Sequence, residues 1–138
     1  MNSLVIVDTS AWIFALSKKY HPKIKDRIDQ LLKENTIAIV PIIKLELLAG
    51  TRTEKEFSRL KMRLDALTQV EIDEEKWQEA YKLAFQLRKK GVDIPFIDII
   101  IIACAKTVGA TIVHADNHFD LVGKFIDMRL ESFVSELT

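Results

Sequence analysis

Leu4-Val5-Ile6-Val7-Asp8-Thr9-Ser10 is the stretch that decides the fold. Four apolar residues, three of them β-branched, end abruptly in a carboxylate and two hydroxyls. A run this short and this β-branched fits a strand buried on both faces, as strands of a parallel sheet are. In open α/β sheets, ligands bind just outside the carboxyl ends of the strands. Asp8 is therefore the first candidate for chemistry, and the question becomes whether other acids join it.

Working outward, short buried runs alternate with helical patterns. Asp8 or Thr9 can cap a helix that runs to about Leu16. Ile24, Ile28, Leu31 and Leu32 fall on one face of an amphipathic helix, with Asn35 as its stop. Residues 37–40 form a second buried strand closed by Pro41, and 42–49 a helix ended by Gly50. Phe57, Leu60, Leu64 and Leu67 mark another helix, and Val70-Glu71-Ile72 a third strand. Asp73 then caps a helix whose buried side is expected to carry Trp77, Ala80, Tyr81, Ala84 and Leu87, with Gly91 at its end. The four isoleucines at 99–102 suit a strand, but Ala103-Cys104-Ala105-Lys106 and Gly109 favour a helix capped by Asp98. Residues 111–113 form a fourth strand that again runs to an acid, Asp116. A turn or short helix follows, then an edge strand at 125–128 and a short tail helix. Alternation of this kind predicts a three-layer α/β/α sandwich around a central, mainly parallel sheet.

The 138 residues make one ordinary domain, and 49% hydrophobic content is enough for a real core. Lys+Arg and Asp+Glu are equal at 20, so a nucleic-acid partner would have to be met by a local basic patch. The longest apolar run is far short of the roughly 18 residues that span a bilayer. The N-terminus has no secretory pattern, and the single Cys104 cannot form an internal disulfide. These features lead to the expectation of a cytoplasmic protein without membrane association.

Four acids stand out by context: Asp8 and Asp116 just past buried strands, Asp98 opening a buried helix, and Glu46 on an otherwise apolar helix. Glu46 lies two residues from Lys44, so the two do not share a helix face. If Lys44 reaches water, Glu46 is expected inward. Far apart in sequence, the four can meet only through the fold. Together in one cleft they would repel, and would have to take up protons or bind a cation. All-oxygen ligands suit Mg²⁺ or Mn²⁺. Such ions activate water and stabilise charge on a phosphodiester, so phosphodiester hydrolysis fits best. The geometric expectation is that the carboxylates of Asp8, Glu46 and Asp98 converge within metal-bridging reach at the carboxyl edge of the sheet. Each acid also has an ordinary use alone: Asp98 and Asp8 as helix caps, Asp116 in a turn, Glu46 at the surface.

At these residues the chain resembles the PIN-domain nucleases, and most closely the VapC-type toxins of toxin–antitoxin pairs. The motifs are Val7-Asp8-Thr9-Ser10-Ala11-Trp12, Lys44-Leu45-Glu46-Leu47-Leu48-Ala49-Gly50, the segment from Pro95 to Ala105 around Asp98, and His114-Ala115-Asp116-Asn117-His118-Phe119. The resemblance covers nearly the whole chain. It implies a metal-dependent ribonuclease, a homodimer and a cognate antitoxin. It places Asp8, Glu46, Asp98 and Asp116 at the family's acids, and Ser10 where a small polar residue supports the first acid. His114 departs from the usual Thr or Ser, and His118 stands where some relatives carry another acid. His114 or His118 could assist proton transfer or touch phosphate, and Asp120 could supply a spare carboxylate.

Two basic groups could receive RNA: Lys18, Lys19, Lys23, Lys25 and Arg27, with Tyr20 beside them, or Arg52, Lys55, Arg59, Lys61 and Arg63. Trp12 and Trp77 read as core, and Cys104 as a small buried hydrophobe. A haloacid-dehalogenase-type phosphatase also begins with a strand ending in Asp, but needs a second acid where Ser10 stands. A receiver domain needs an acidic pair after its first strand and a late Lys, and neither is evident. A housekeeping nuclease, or a silent binding module of the same fold, is the remaining alternative. Clustered repulsive charge would bring a pure scaffold no gain.

Overall fold

The computed structural model describes residues 3–17 and 21–137. Its order is β1 (Val5–Val7), α1 (Thr9–Leu16), α2 (Pro22–Lys33), β2 (Ile37–Ile39), α3 (Pro41–Ala49), α4 (Glu54–Asp65), β3 (Thr68–Gln69) and α5 (Glu74–Lys89). It continues with α6 (Phe96–Val108), β4 (Thr111–His114), α7 (Asn117–Gly123), β5 (Leu130–Ser132) and a closing 3-10 turn, Val134–Leu137. The strands form one sheet, β3-β2-β1-β4-β5, in which every neighbouring pair is parallel. Helices flank it as the expected three-layer sandwich.

This strand order creates the site. The chain builds outward from β1 through β2 to β3, then crosses back to β4 on the other side. The order therefore reverses between β1 and β4, and a crevice opens beyond their carboxyl ends. Val5, Ile6 and Val7 pair with Thr111, Ile112 and Val113, so the two strands end side by side. Asp8 leaves β1, and Asp116 lies just past β4.

The core explains why the strands read as unbroken apolar runs. Every residue of β1 and β2 is buried. Helix α6 also lies inside the molecule, with Ile101, Ile102, Ala103 and Cys104 fully covered. A helix apolar on nearly all sides belongs in such a place, which is how four isoleucines come to be helical. Gly109 ends α6 in the left-handed conformation, φ 70°, where a side chain would be strained.

Four local expectations are corrected. The third strand is Thr68–Gln69, not 70–72; Val70 adds one bond, its N–H to the Ile39 carbonyl at 2.9 Å. An edge strand exposed on both faces carries no apolar pattern to find. The last strand is Leu130–Ser132, not 125–128, because Phe125 and Ile126 turn back onto the Val122 carbonyl. Helix α5 buries Lys76, Ala80, Leu83 and Leu87, which leaves Trp77 half-buried and Tyr81 exposed. Asp98 does not cap α6: Pro95 holds that position, and Asp98 is the third helical residue. Among the described residues, no helix is long and apolar enough to cross a membrane.

Candidate active site

Asp8 is almost fully covered, at 5% exposure. The chain is still extended there, because Asp8 is the N-cap of α1. Its Oδ2 accepts from the Ser10 backbone N at 3.0 Å and from Ser10 Oγ at 2.6 Å. Ser10 Oγ in turn accepts from the Ala115 backbone N at 2.9 Å. One hydroxyl thus joins the segment after β1 to the segment after β4 and fixes the Asp8 carboxylate between them.

Asp98 projects from the first turn of α6 and is buried; Asp116 is the N-cap of α7 and accepts from the His118 backbone N at 2.9 Å. The His118 ring closes the gap between them. Its Nδ1 lies 2.9 Å from Asp98 Oδ2 and 3.3 Å from Asp116 Oδ1. One ligand atom from each of Asp98, Asp116 and His118 falls within 4.8 Å of the others. Burial raises the Asp98 carboxyl to about 6; the Asp8 and Asp116 charges add to this, and the His118 contact opposes it. Crowded acids with an imidazole among them form a donor set that suits a divalent cation, with a nitrogen beside the oxygens.

Glu46 is placed differently from the expectation. Ile43 and Leu47 occupy the buried face of α3, and Glu46 is exposed at the rim. Lys44 turns aside to Asp65 and Gln69, so the two side chains do diverge, but Glu46 points toward α1 rather than into the core. There it accepts from Thr9 Oγ1 at 2.8 Å. It does not belong to the group of mutually close ligand atoms formed by Asp98, Asp116 and His118, and neither does Asp8. The sequence offers Thr9 only as a possible cap of the first helix; its adjacency to Asp8 is the signal for this second role.

The remaining candidates separate cleanly. His114 is completely buried at the end of β4, against Phe119. Its Nδ1 accepts from the Asp116 backbone N at 3.2 Å, and burial lowers its pKa, so it supports Asp116 from beneath as a neutral ring. His114 Nε2 lies 3.4 Å from Asp120 Oδ1 but is not aligned for a hydrogen bond. Asp120 also accepts from Ser132 Oγ at 2.9 Å, and it stands outside the Asp98–Asp116–His118 group.

Of the first basic group, Lys18, Lys19 and Tyr20 lie outside the described residues. Lys23 pairs with Glu136 at 3.3 Å and Arg27 with Glu131 at 2.8 Å, so both bind the C-terminal segment. In the second group Lys61 pairs with Asp65 at 2.8 Å, while Arg59 and Arg63, one turn apart on α4, line a crevice of about 410 Å³ with Thr9 and Glu46. Trp12 is core, and burial pushes the Cys104 thiol up to about 11, which leaves it an inert filler.

Comparison with known proteins bears on the fold and the family. Ribonuclease VapC11 of Mycobacterium tuberculosis is 26% identical over 134 residues, spanning 94% of this chain and 99% of the relative. The structure of VapBC2 from Rickettsia felis bound to a promoter DNA fragment superposes with a TM-score of 0.77 at 23% identity, covering 94% of this chain and 98% of that one. VapC20 of Mycobacterium tuberculosis, described as a sarcin–ricin-loop-cleaving toxin, superposes with a TM-score of 0.62 at 18% identity over 91% of this chain and 98% of that one. The PIN domain model matches residues 5–125, which include every acid of the site, and the chain belongs to the PIN domain family.

Proposed function

We propose that this protein is a divalent-cation-dependent endoribonuclease, the toxin of a toxin–antitoxin pair, acting as a homodimer on RNA. The observation that carries the reading is the convergence of Asp98, Asp116 and His118 at the point where the strand order reverses, with Asp8 close enough to raise Asp98. Relatives that cover 94% and 84% of this chain and are named ribonucleases support it. Neighbouring structures of toxin–antitoxin complexes support a protein antitoxin as partner.

Asp98 and Asp116 would hold the cation, with Mg²⁺ as the expected ion and Mn²⁺ as its substitute. Asp8 adds negative charge beside them, and Ser10 keeps it in place. A bound divalent cation supplies the positive charge that draws in a phosphodiester and makes water a better nucleophile. His118 orients the Asp98 and Asp116 carboxylates by bridging them. Arg59 and Arg63 can receive backbone phosphates at the crevice rim, with Glu46 setting its edge.

The test is cleavage of structured RNAs by purified protein in Mg²⁺ or Mn²⁺ and in EDTA. The expected outcome is cleavage in the metal-containing buffers, loss in EDTA, and loss in the Asp8→Asn, Asp98→Asn double variant. Cleavage that survives chelation would overturn the mechanism. Expression without a cognate antitoxin should arrest growth; harmless expression of active enzyme would point to a housekeeping nuclease.

A further inference from the structure

His118 is held in place by the first turn of α7. Its backbone N donates to Asp116 Oδ1 at 2.9 Å, and the next residue, Phe119, is fully buried. The ring turns toward the acids from this anchored stretch. Nδ1 is the nitrogen that faces them, 2.9 Å from Asp98 Oδ2 and 3.3 Å from Asp116 Oδ1.

These separations carry chemical information. Ionised carboxylates only accept, so Nδ1 meets them as an N–H donor. An orienting hydrogen bond accounts for the 2.9 Å contact alone. The second carboxylate at 3.3 Å makes a common point of approach for three donor atoms. Two ligands at right angles, each about 2.1 Å from a cation, stand about 3 Å apart. The spacings from Nδ1 to the two oxygens match neighbouring positions around such an ion, and the ligand atoms of all three residues lie within 4.8 Å of one another. A cation in the place of the Nδ1 proton would engage all three at once. The His118 side chain is 44% exposed, so the exchange needs no opening of the core.

A ring nitrogen changes which ion such a site prefers. Mg²⁺ takes oxygen ligands and gives up water reluctantly. Imidazole suits transition ions, whose affinity for mixed nitrogen and oxygen sites rises from Mn²⁺ to Co²⁺. We infer that His118 Nδ1 is a direct ligand of the cation, beside the oxygens of Asp98 and Asp116, and that it shifts the site's selectivity toward first-row transition ions relative to Mg²⁺. The inference rests on the cation site in the reading above and adds a ligand and a selectivity to it. Position 118 thus determines selectivity: an acid there would give an all-oxygen set, and His gives a mixed one.

Electron spin-echo modulation of Mn²⁺ bound to the full chain reads the coordination directly, with circular dichroism to confirm folding. Wild type is expected to show the ¹⁴N coupling of a coordinated imidazole. His118→Asp, at a partly exposed position, is expected to keep Mn²⁺ and lose that coupling. The loss identifies His118, because His114 is buried with its Nδ1 on the Asp116 backbone N and the His21 ring packs on Phe14. Calorimetry should show the Co²⁺-to-Mg²⁺ affinity ratio falling by about tenfold in His118→Asp, and the Mn²⁺-to-Mg²⁺ ratio falling by less. If the variant misfolds, the wild-type spectrum still decides. Mn²⁺ bound without nitrogen coupling in wild type, or ratios unchanged in the folded variant, would overturn the ligand and leave the cation site standing. A wild type that takes up no Mn²⁺ would overturn the cation site itself, and the inference with it.

Discussion

His118 Nδ1 lies 2.9 Å from Asp98 Oδ2, and this contact ties the start of α6 to the start of α7 across the mouth of the sheet. Asp98 is buried and faces two other acids, so His118 supplies a donor that tempers their repulsion. The relationship gathers a group of ligand atoms that could hold a cation, with negative charge crowded around a buried carboxylate.

Crowding of that kind predicts a split outcome for Asp98→Asn. The amide removes a charge whose presence burial, Asp8 and Asp116 all oppose. RNA cleavage should fall by about a thousandfold, as when a group stabilising transition-state charge is lost. The metal-free protein should gain about 1–2 kcal/mol, or roughly 5 °C or more in melting temperature. Thermal melts in EDTA check the second half. A destabilised variant would mean that Asp98 is a structural residue.

The same group sets a pH dependence. The Asp98 carboxyl is raised from 3.8 to about 6, so the folded state holds its proton more tightly than the unfolded state does. Its contribution to the stability of the metal-free protein is therefore greatest in acid and is lost as pH rises from about 4 through 6. Cation affinity runs the other way, because ligation needs the carboxylate. Calorimetric titration with Mn²⁺ should show about tenfold weaker binding at pH 5 than at pH 7.

Ser10→Ala separates positioning from ligation. It deletes the hydroxyl that holds Asp8 at 2.6 Å and accepts the Ala115 N–H. Stability should drop by about 1–2 kcal/mol. Activity should fall by about 10–100-fold, the usual cost of losing an outer partner of a metal site. A denaturant melt and an RNA cleavage assay measure the two effects.

Glu46→Gln should behave unlike the acids of the cluster. Glu46 is exposed, and its one hydrogen bond accepts from Thr9 Oγ1, which an amide oxygen can also do. Mn²⁺ affinity should stay within about threefold of wild type. A loss comparable to that of Asp98→Asn would place Glu46 among the direct ligands.

Much of this arrangement was legible in the sequence where burial on both faces left no ambiguity. The Leu4–Val7 run gave the central strand, and the abrupt change at Asp8 marked the edge of the sheet. Where one face meets water the apolar pattern is ambiguous. Thr68–Gln69 is an edge strand with no apolar signal, and Trp77 and Tyr81 look like core although α5 buries Ala80, Leu83 and Leu87 instead. The offset from Lys44 suggests that Glu46 points inward, yet Ile43 and Leu47 fill the buried face of α3. Asp98 looks like a cap because caps are common before apolar runs; set within the first turn of α6, it is buried where three acids crowd. The bridging position of His118 between two carboxylates has no sequence signal beyond proximity to Asp116, since only the fold brings Asp98 within reach.

The most direct test is calorimetric titration of Mn²⁺ into the purified protein at pH 7, beside the Asp98→Asn, Asp116→Asn double variant. The structure predicts specific Mn²⁺ binding by wild type and its loss in the folded variant. A wild type that takes up no Mn²⁺, or a variant that binds it equally well, would contradict the assignment of Asp98 and Asp116 as the residues that hold the cation.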